Sequence, residues 1–233
     1  MCVLNRRFKK YKAIIFDVYG TLFDMSSLKK GMTQFDDEQA TSISKLWRKT
    51  QLNHMFLKQI MQRYISFDEL TKEALRYTMD EHKIQYDRED INRLFDAFLN
   101  LEYFYEVPKI LAQLNNMNID VGILSNGNDN MLRPLIDNSE LGENINTVMS
   151  VNEIKQYKPS PASYALILKY HHLKREEILF VSSNSWDVTG ATNFGFDTAW
   201  VNRQNGHFDY NGQNPTITVN NLNELINWLE MNK

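Results

Sequence analysis

Hydrophobic positions along the first hundred residues change their period once. Ala13-Ile14-Ile15-Phe16 is an unbroken apolar run that stops at Asp17, with Gly20 three residues further on. A short continuous run bounded by a turn signal reads as a strand buried on both faces, as in a parallel sheet. From about Asp36 the spacing becomes helical. Ile43, Leu46, Trp47, Leu52, Met55, Phe56 and Ile60 form one stripe, with Asp36 and Asp37 as N-cap and first-turn acids. Ser66-Phe67-Asp68-Glu69 has the form of a capping box, in which serine and glutamate each serve the other's backbone. Leu70, Ala74, Leu75 and Met79 continue that helix, and Ile91, Leu94, Phe95, Phe98 and Leu99 mark a third from about Asp87.

Strand and helix then alternate. Val107-Pro108 opens a helix to about Asn116, with proline in the tolerated first turn. Strands are expected at Ile119–Leu124, Thr147–Val151, Glu177–Val181 and Thr198–Val201, and a short one at Thr216–Val219. Between them fall helices from about Asn130 to Asn138, from Pro161 behind the N-cap Ser160 to about His171, and before Gly195; Leu222–Leu229 closes the chain. This alternation predicts an α/β fold with a doubly wound, mostly parallel sheet. Three helices between the first two strands are more than one crossover needs. Residues 1–23 and 101–233 are therefore expected to form the core, and 24–100 an inserted helical cap subdomain.

Composition narrows the function. The 233 residues suffice for one large domain or a domain with an insertion. Lys+Arg 26 against Asp+Glu 29 leaves −3, so the overall charge gives no reason to expect nucleic acid. The basic start (Arg6, Arg7, Lys9, Lys10, Lys12) reads as a solvated tail. A single cysteine, Cys2, excludes an internal disulfide framework and a cysteine-based zinc site. No apolar run approaches the roughly 18 residues of a membrane span. No basic segment leads into an apolar signal core, so a cytoplasmic protein without membrane partners is expected.

Chemistry gathers at the strand ends. Asp17, Tyr19 and Thr21 follow the first strand, Ser125 and Asn126 the second, Lys158 the third, and Ser182, Asn184 and Asp187 the fourth. A right-handed parallel sheet puts these ends on one edge, where open α/β sheets bind ligands. A carboxylate there can serve as a nucleophile forming an ester, kept ionised by a nearby lysine. A second acid can position or deprotonate the water that cleaves it. Each residue also has a plainer reading: Asp17 and Asp187 as helix-start or turn acids, Lys158 as a loop lysine, Ser125-Asn126-Gly127 as a turn. The five histidines form no pattern; His54 stands alone, and His171-His172 end a helix whose dipole they suit.

Phe16-Asp17-Val18-Tyr19-Gly20-Thr21-Leu22-Phe23-Asp24, Leu124-Ser125-Asn126-Gly127, Tyr157-Lys158-Pro159 and Phe180-Val181-Ser182-Ser183-Asn184-Ser185-Trp186-Asp187 resemble the ordered motifs of the haloacid dehalogenase superfamily. With Leu46-Trp47-Arg48 and Ala199-Trp200-Val201-Asn202-Arg203, the resemblance narrows to the L-2-haloacid dehalogenases and covers nearly the whole chain. It implies that Asp17 attacks C2 of a short (S)-2-haloacid, inverting it. Water then cleaves the ester at Asp17 and releases an (R)-2-hydroxyacid. It implies Arg48 as halide binder, where the plain alternative is a surface arginine. Thr21, Ser182, Asn184 and Asp187 would orient Asp17, Lys158 and water. Ser125 and Lys158 would engage the substrate carboxylate, with Asn126 beside them and backbone amides helping. Tyr164 would support the site by hydrogen bonding or serve only in packing. Tyr19, Leu52, Phe67 and Trp186 would form an apolar wall. The resemblance also suggests a homodimer.

Two positions separate this expectation from a phosphatase of the same superfamily. Phosphatases carry a second aspartate two residues after the nucleophile, as acid for the leaving group; here Tyr19 stands there. They also hold magnesium through a further aspartate at the fourth strand end, where this chain has Ser182-Ser183-Asn184. A magnesium-dependent phosphatase and a non-catalytic binding member stay as alternatives, and the leading expectation is an enzyme with neither metal nor cofactor. Lys49 departs from the family pattern, which has glutamine after the arginine. It either strengthens anion binding or points to solvent.

Overall fold

The computed structural model of the protein describes residues 11–209 and 213–232. Cys2 and the basic residues Arg6, Arg7, Lys9 and Lys10 lie outside them. Lys12, expected in a solvated tail, instead pairs with Glu177 at 2.7 Å.

Among the described residues the strands are β1 (Ala13–Phe16), β2 (Asp120–Ser125), β3 (Thr147–Ser150), β4 (Ile178–Ser182), β5 (Asp197–Val201) and β6 (Ile217–Val219). They form one sheet in the order β3-β2-β1-β4-β5-β6, parallel at every pairing. All four residues of β1 are buried, as the unbroken apolar run requires of a central strand covered on both faces. Each boundary expected from sequence lies within one or two residues of the observed one. The sheet order reverses around β1, whose neighbours are β2 and β4. This is the switch point at which a doubly wound sheet opens a crevice.

The helices are α1 (Asp37–Ile60), α2 (Phe67–Glu81), α3 (Arg88–Leu99), α4 (Val107–Asn116), α5 (Asp129–Asp137), α6 (Pro161–His171), α7 (Ser185–Phe194) and α8 (Leu222–Met231). A 3₁₀ turn at Met25–Gly31 joins the β1 loop to α1. Helices α1–α3 share an apolar seam in which Ile43, Trp47, Met55, Leu70, Ala74, Leu94 and Phe98 are buried.

Two local expectations fail. Ser66 occupies the N-cap of α2 but makes no capping bond, because its hydroxyl bonds the Asp68 carboxylate. The reciprocal box stands instead at α3, between Asp87 and Asp90. Ile60, placed on the buried stripe, is 78% exposed: α1 is long enough that its last turn runs past the seam.

The α1–α3 layer rests on the sheet's C-terminal edge through specific contacts. Tyr157 donates its hydroxyl to the Ile65 carbonyl at 2.7 Å and its N–H to Gln59 Oε1 at 2.7 Å. Asn128, ahead of α5, donates to Asp68 Oδ1 at 2.9 Å. Tyr19 packs against Phe67 and Phe98, and Phe56 meets Trp186 edge to face at 5.5 Å.

Candidate active site

Asp17 follows the central strand directly, and its N–H still bonds the Val181 carbonyl of β4 at 2.9 Å. The chain then turns sharply. The Val18 carbonyl accepts from the N–H groups of Thr21, Leu22 and Phe23, and Gly20 takes φ +88°. A side chain at Gly20 would be strained there and would crowd Ser183 Oγ at 3.0 Å. The turn therefore carries Thr21 back toward Asp17.

Lys158 is fully buried and donates 2.8 Å to Asp17 Oδ1, 2.6 Å to Asp187 Oδ2 and 3.0 Å to the Leu124 carbonyl. All three protons of the ammonium are thus used. Burial opposes the lysine's charge, but Asp17 and Asp187 outweigh it and raise the Lys158 pKa. Asp187 is also fully buried, and burial pushes its pKa up to about 6; Lys158 pulls it down, and repulsion from Asp17 adds to the rise. Its second oxygen accepts from the Tyr164 hydroxyl at 2.8 Å. The close approach of Tyr164 requires Gly190, where a Cβ would stand 2.5 Å from the phenol oxygen. Asp187 is both a first-turn acid of α7 and a member of the cluster.

The other oxygen of Asp17 is held differently. Oδ2 accepts from Asn184 Nδ2 at 2.9 Å and Thr21 Oγ1 at 3.1 Å, with Ser182 Oγ at 3.5 Å. Thr21 is fixed in turn by the Ser183 N–H at 2.9 Å. Oδ2 faces three protein donors and Oδ1 one, so Oδ1 keeps the freer lone pairs.

Ser125 and Asn126 stand beside this cluster at the end of β2. The Ser125 oxygen accepts from the Gly127 N–H at 3.0 Å, which leaves the hydroxyl proton available. The Asn126 amide is committed on both sides. Its oxygen accepts from the Lys158 N–H at 2.9 Å, and its nitrogen donates to Met55 Sδ at 2.9 Å. Its side chain therefore holds the loop carrying Lys158.

The wall above the cluster comes from α1, α2, the β1 loop and the first turn of α7. Tyr19 and Phe67 are buried, while Leu52 and Trp186 are half-buried. The buried Tyr19 hydroxyl has no protein partner, and burial raises its pKa well beyond any neutral titration. Arg48 is half-buried by area, yet its guanidinium lies deep enough for burial to lower its pKa, with Asp17 and Tyr19 opposing. It donates 2.6 Å to Gln51 Oε1, and Gln51 donates 2.6 Å to Thr71 Oγ1. Lys49 is exposed and makes no contact with the cluster.

The structure thus brings together Asp17, Thr21, Lys158, Tyr164, Ser182, Asn184 and Asp187 in one hydrogen-bonded group. Sequence reasoning missed four supporting residues. Gln51 carried a usable signal, a polar residue one helical turn from Arg48. Ser183 and Gly190 carried none beyond their neighbours. Arg203 was noted only within a strand motif; it donates to the Thr21 carbonyl at 3.0 Å and to Glu106 at 2.6 Å, bracing the turn after Asp17. Among the described residues, no three His, Cys, Asp or Glu side chains stand together as a metal site.

Comparison with known proteins bears on this geometry. Residues 11–195 match the family model described as haloacid dehalogenase-like hydrolase. The chain is 38% identical to an (S)-2-haloacid dehalogenase of Pseudomonas putida, over 95% of this chain and 97% of that one. It is 38% identical to haloacetate dehalogenase H-2 of a Moraxella species (strain B), over 94% of this chain and 97% of that one. It also superposes on the L-2-haloacid dehalogenase of Xanthobacter autotrophicus with chloropropionic acid covalently bound. That match has a TM-score of 0.90 and 30% identity, and it covers 94% of this chain and 98% of that one.

Proposed function

Because the chain belongs to the haloacid dehalogenase-like hydrolases, and within them to the L-2-haloacid dehalogenases, we propose that it hydrolyses short (S)-2-haloalkanoic acids to (R)-2-hydroxyacids through an ester on Asp17. The observation that carries this reading is the asymmetry of the Asp17 carboxylate. Lys158 alone bonds Oδ1, while three donors converge on Oδ2 and leave Oδ1 as the attacking oxygen.

Oδ1 attacks C2 from the face opposite the halogen. The C–O bond forms as the carbon–halogen bond breaks, and the halide departs with the bonding pair. Arg48, facing Asp17 across the cleft, receives the halide, and the partnerless Tyr19 hydroxyl is available beside it. A halide is a stable anion, so its departure needs no acid, and a tyrosine suffices at position 19. Ser125 offers its free hydroxyl proton to the substrate carboxylate, and Lys158, whose protons are all taken, acts on it through charge alone. Leu52, Phe67 and Trp186 exclude water and strengthen these charge interactions.

Once Oδ1 is esterified, Oδ2 becomes the carbonyl oxygen. Water attacks the Asp17 carbonyl carbon, and the charge developing on Oδ2 meets Asn184, Thr21 and Ser182, already in place as an oxyanion hole. The bond from Oδ1 to the Asp17 carbonyl carbon breaks, Oδ1 leaves as the product hydroxyl carrying one proton of the water, and the other proton is released to solvent. Asp187, itself held by the Tyr164 hydroxyl, holds Lys158 throughout. The Lys158 ammonium fills the space between the two carboxylates, which supports a reaction without metal.

We read residues 24–100 as a cap over this site, and the protein as a cytoplasmic homodimer with no nucleic-acid or membrane partner. Exposed Leu57, Ile60 and Met61 at the end of α1, with Tyr77 on α2, offer the apolar face a second copy would cover. No helix among the described residues is long and apolar enough to cross a membrane. The test of function is halide release from (S)- and (R)-2-chloropropionate with a chelator present. Release from the S form alone is expected; magnesium-dependent phosphate release from small phosphoesters without halide release would overturn the reading.

A further inference from the structure

A groove of about 550 Å³ opens on the side of the molecule where α1 meets the Met25–Gly31 turn. It shares Arg48 and Leu52 with the site, so it leads to the cleft over Asp17. One wall is a single face of α1: Thr41, Ser44, Lys45, Arg48, Lys49 and Leu52 recur at three- and four-residue spacing. The facing wall carries the apolar Met25 and Leu28 beside Ser26, Lys29 and Gln204.

Its charge is one-sided. Lys29, Lys45, Arg48 and Lys49 line it, and no acidic side chain is found among the described lining residues. Asp37 offsets Lys29 at 2.7 Å. Lys45 and Lys49 have no ion pair among the described residues, and they stand four apart on one helix face, a like-charge arrangement that costs helix stability. Arg48, behind them, is turned inward to Gln51 and feels the charge of Asp17. The cations thus run in sequence from solvent toward the nucleophile.

We propose that this groove is the route by which the carboxylate substrate reaches Asp17, and that Lys45 and Lys49 speed its arrival by drawing the anion along the α1 face. The inference rests on the haloacid reading of the site. Neither lysine touches the reacting atoms, so both act on association and leave the chemical step alone. A cleft of one charge sign with apolar walls focuses its field and raises on-rates.

The test is stopped-flow tryptophan fluorescence of the wild-type enzyme mixed with (S)-2-chloropropionate, with kcat measured alongside by halide release. Lys45→Gln and Lys49→Gln each lower the second-order association constant about twofold at low ionic strength, and the double variant about fourfold, the scale of one unit charge at about a Debye length in water. The loss shrinks to near nothing at about 0.5 M salt, and kcat is unchanged. Ser44→Phe, which narrows the groove without changing its charge, slows association at every ionic strength. Association constants that match the wild type in the double variant, or a loss independent of salt, would overturn the proposal while the haloacid reading stands. A wild-type enzyme that releases no halide at all overturns both.

Discussion

The carboxylate cluster at the sheet edge and the helical layer above it hold their charges in opposite ways. At the edge, Lys158 and Asp187 are fully buried, and every ammonium proton has a protein acceptor. In the layer, Arg48 is half-buried, bonded to one neutral amide, and faces a tyrosine hydroxyl with no partner. A saturated network is fixed by the fold and belongs to the chemistry it positions. An arginine left with spare donors inside a partly apolar wall is prepared for an anion that arrives later. The comparison predicts that the edge carries both stability and rate, and the layer rate alone.

The largest effect is expected at the nucleophile. Asp17→Asn removes the attacking carboxylate and lowers kcat for halide release about 10⁴-fold or more. Next, Lys158→Met leaves two carboxylates facing each other without their shared cation. Urea denaturation will register a loss of about 3–5 kcal/mol, as expected when a buried pair is broken, together with loss of activity. Arg48→Gln is the variant that can break the comparison. It lowers kcat about 10²–10³-fold, while stability moves by about 1 kcal/mol or less, the worth of one hydrogen bond. A stability loss as large as that of Lys158→Met would put Arg48 among the structural charges.

The pH dependence sharpens the same contrast. Burial raises Asp187 to about 6, so it becomes protonated as pH falls through that value and gives up its charge on Lys158. The rate of halide release therefore falls below about pH 6, approaching tenfold per unit. Asp187→Asn removes that limb and lowers the plateau. The smallest effect belongs to the contact between the two regions. Asp68→Asn weakens the bonds from Asn128 and Asn130. Because Asp68 is half-exposed, stability drops by only about 1 kcal/mol, with kcat nearly unchanged in a steady-state assay.

The two regions also differ in how far the sequence revealed them. The edge was legible because a parallel sheet buried on both faces demands apolar runs, and each run ends visibly on a polar residue: Asp17 after Phe16, Ser182 after Val181. Topology alone then carries those ends to one place. The helical layer was less legible because helix periodicity shows which face is apolar but not where burial stops. Ile60 fits the stripe of α1 and is nevertheless exposed. Ser66 and Glu69 have capping-box spacing, but the serine hydroxyl turned to Asp68 instead. Gln51 is a polar residue on the buried face of α1, four residues from both Trp47 and Met55, and it is tolerated there because Arg48 and Thr71 satisfy its amide. The bonds of the Asn126 amide to the Lys158 backbone and to Met55 are equally invisible along β2. Side-chain hydrogen bonds of this kind depend on which elements meet, and no pattern along one element records them.

The central claim is that one oxygen of Asp17 becomes the product hydroxyl and is then replaced from water. Single-turnover hydrolysis of (S)-2-chloropropionate in oxygen-18 water, with enzyme in excess, tests it directly by mass spectrometry of the peptide containing Asp17 and of the product. Label in the Asp17 carboxylate and unlabelled 2-hydroxypropionate is the predicted result. Label in the product with Asp17 unlabelled would contradict the ester and make Asp17 a base acting on water.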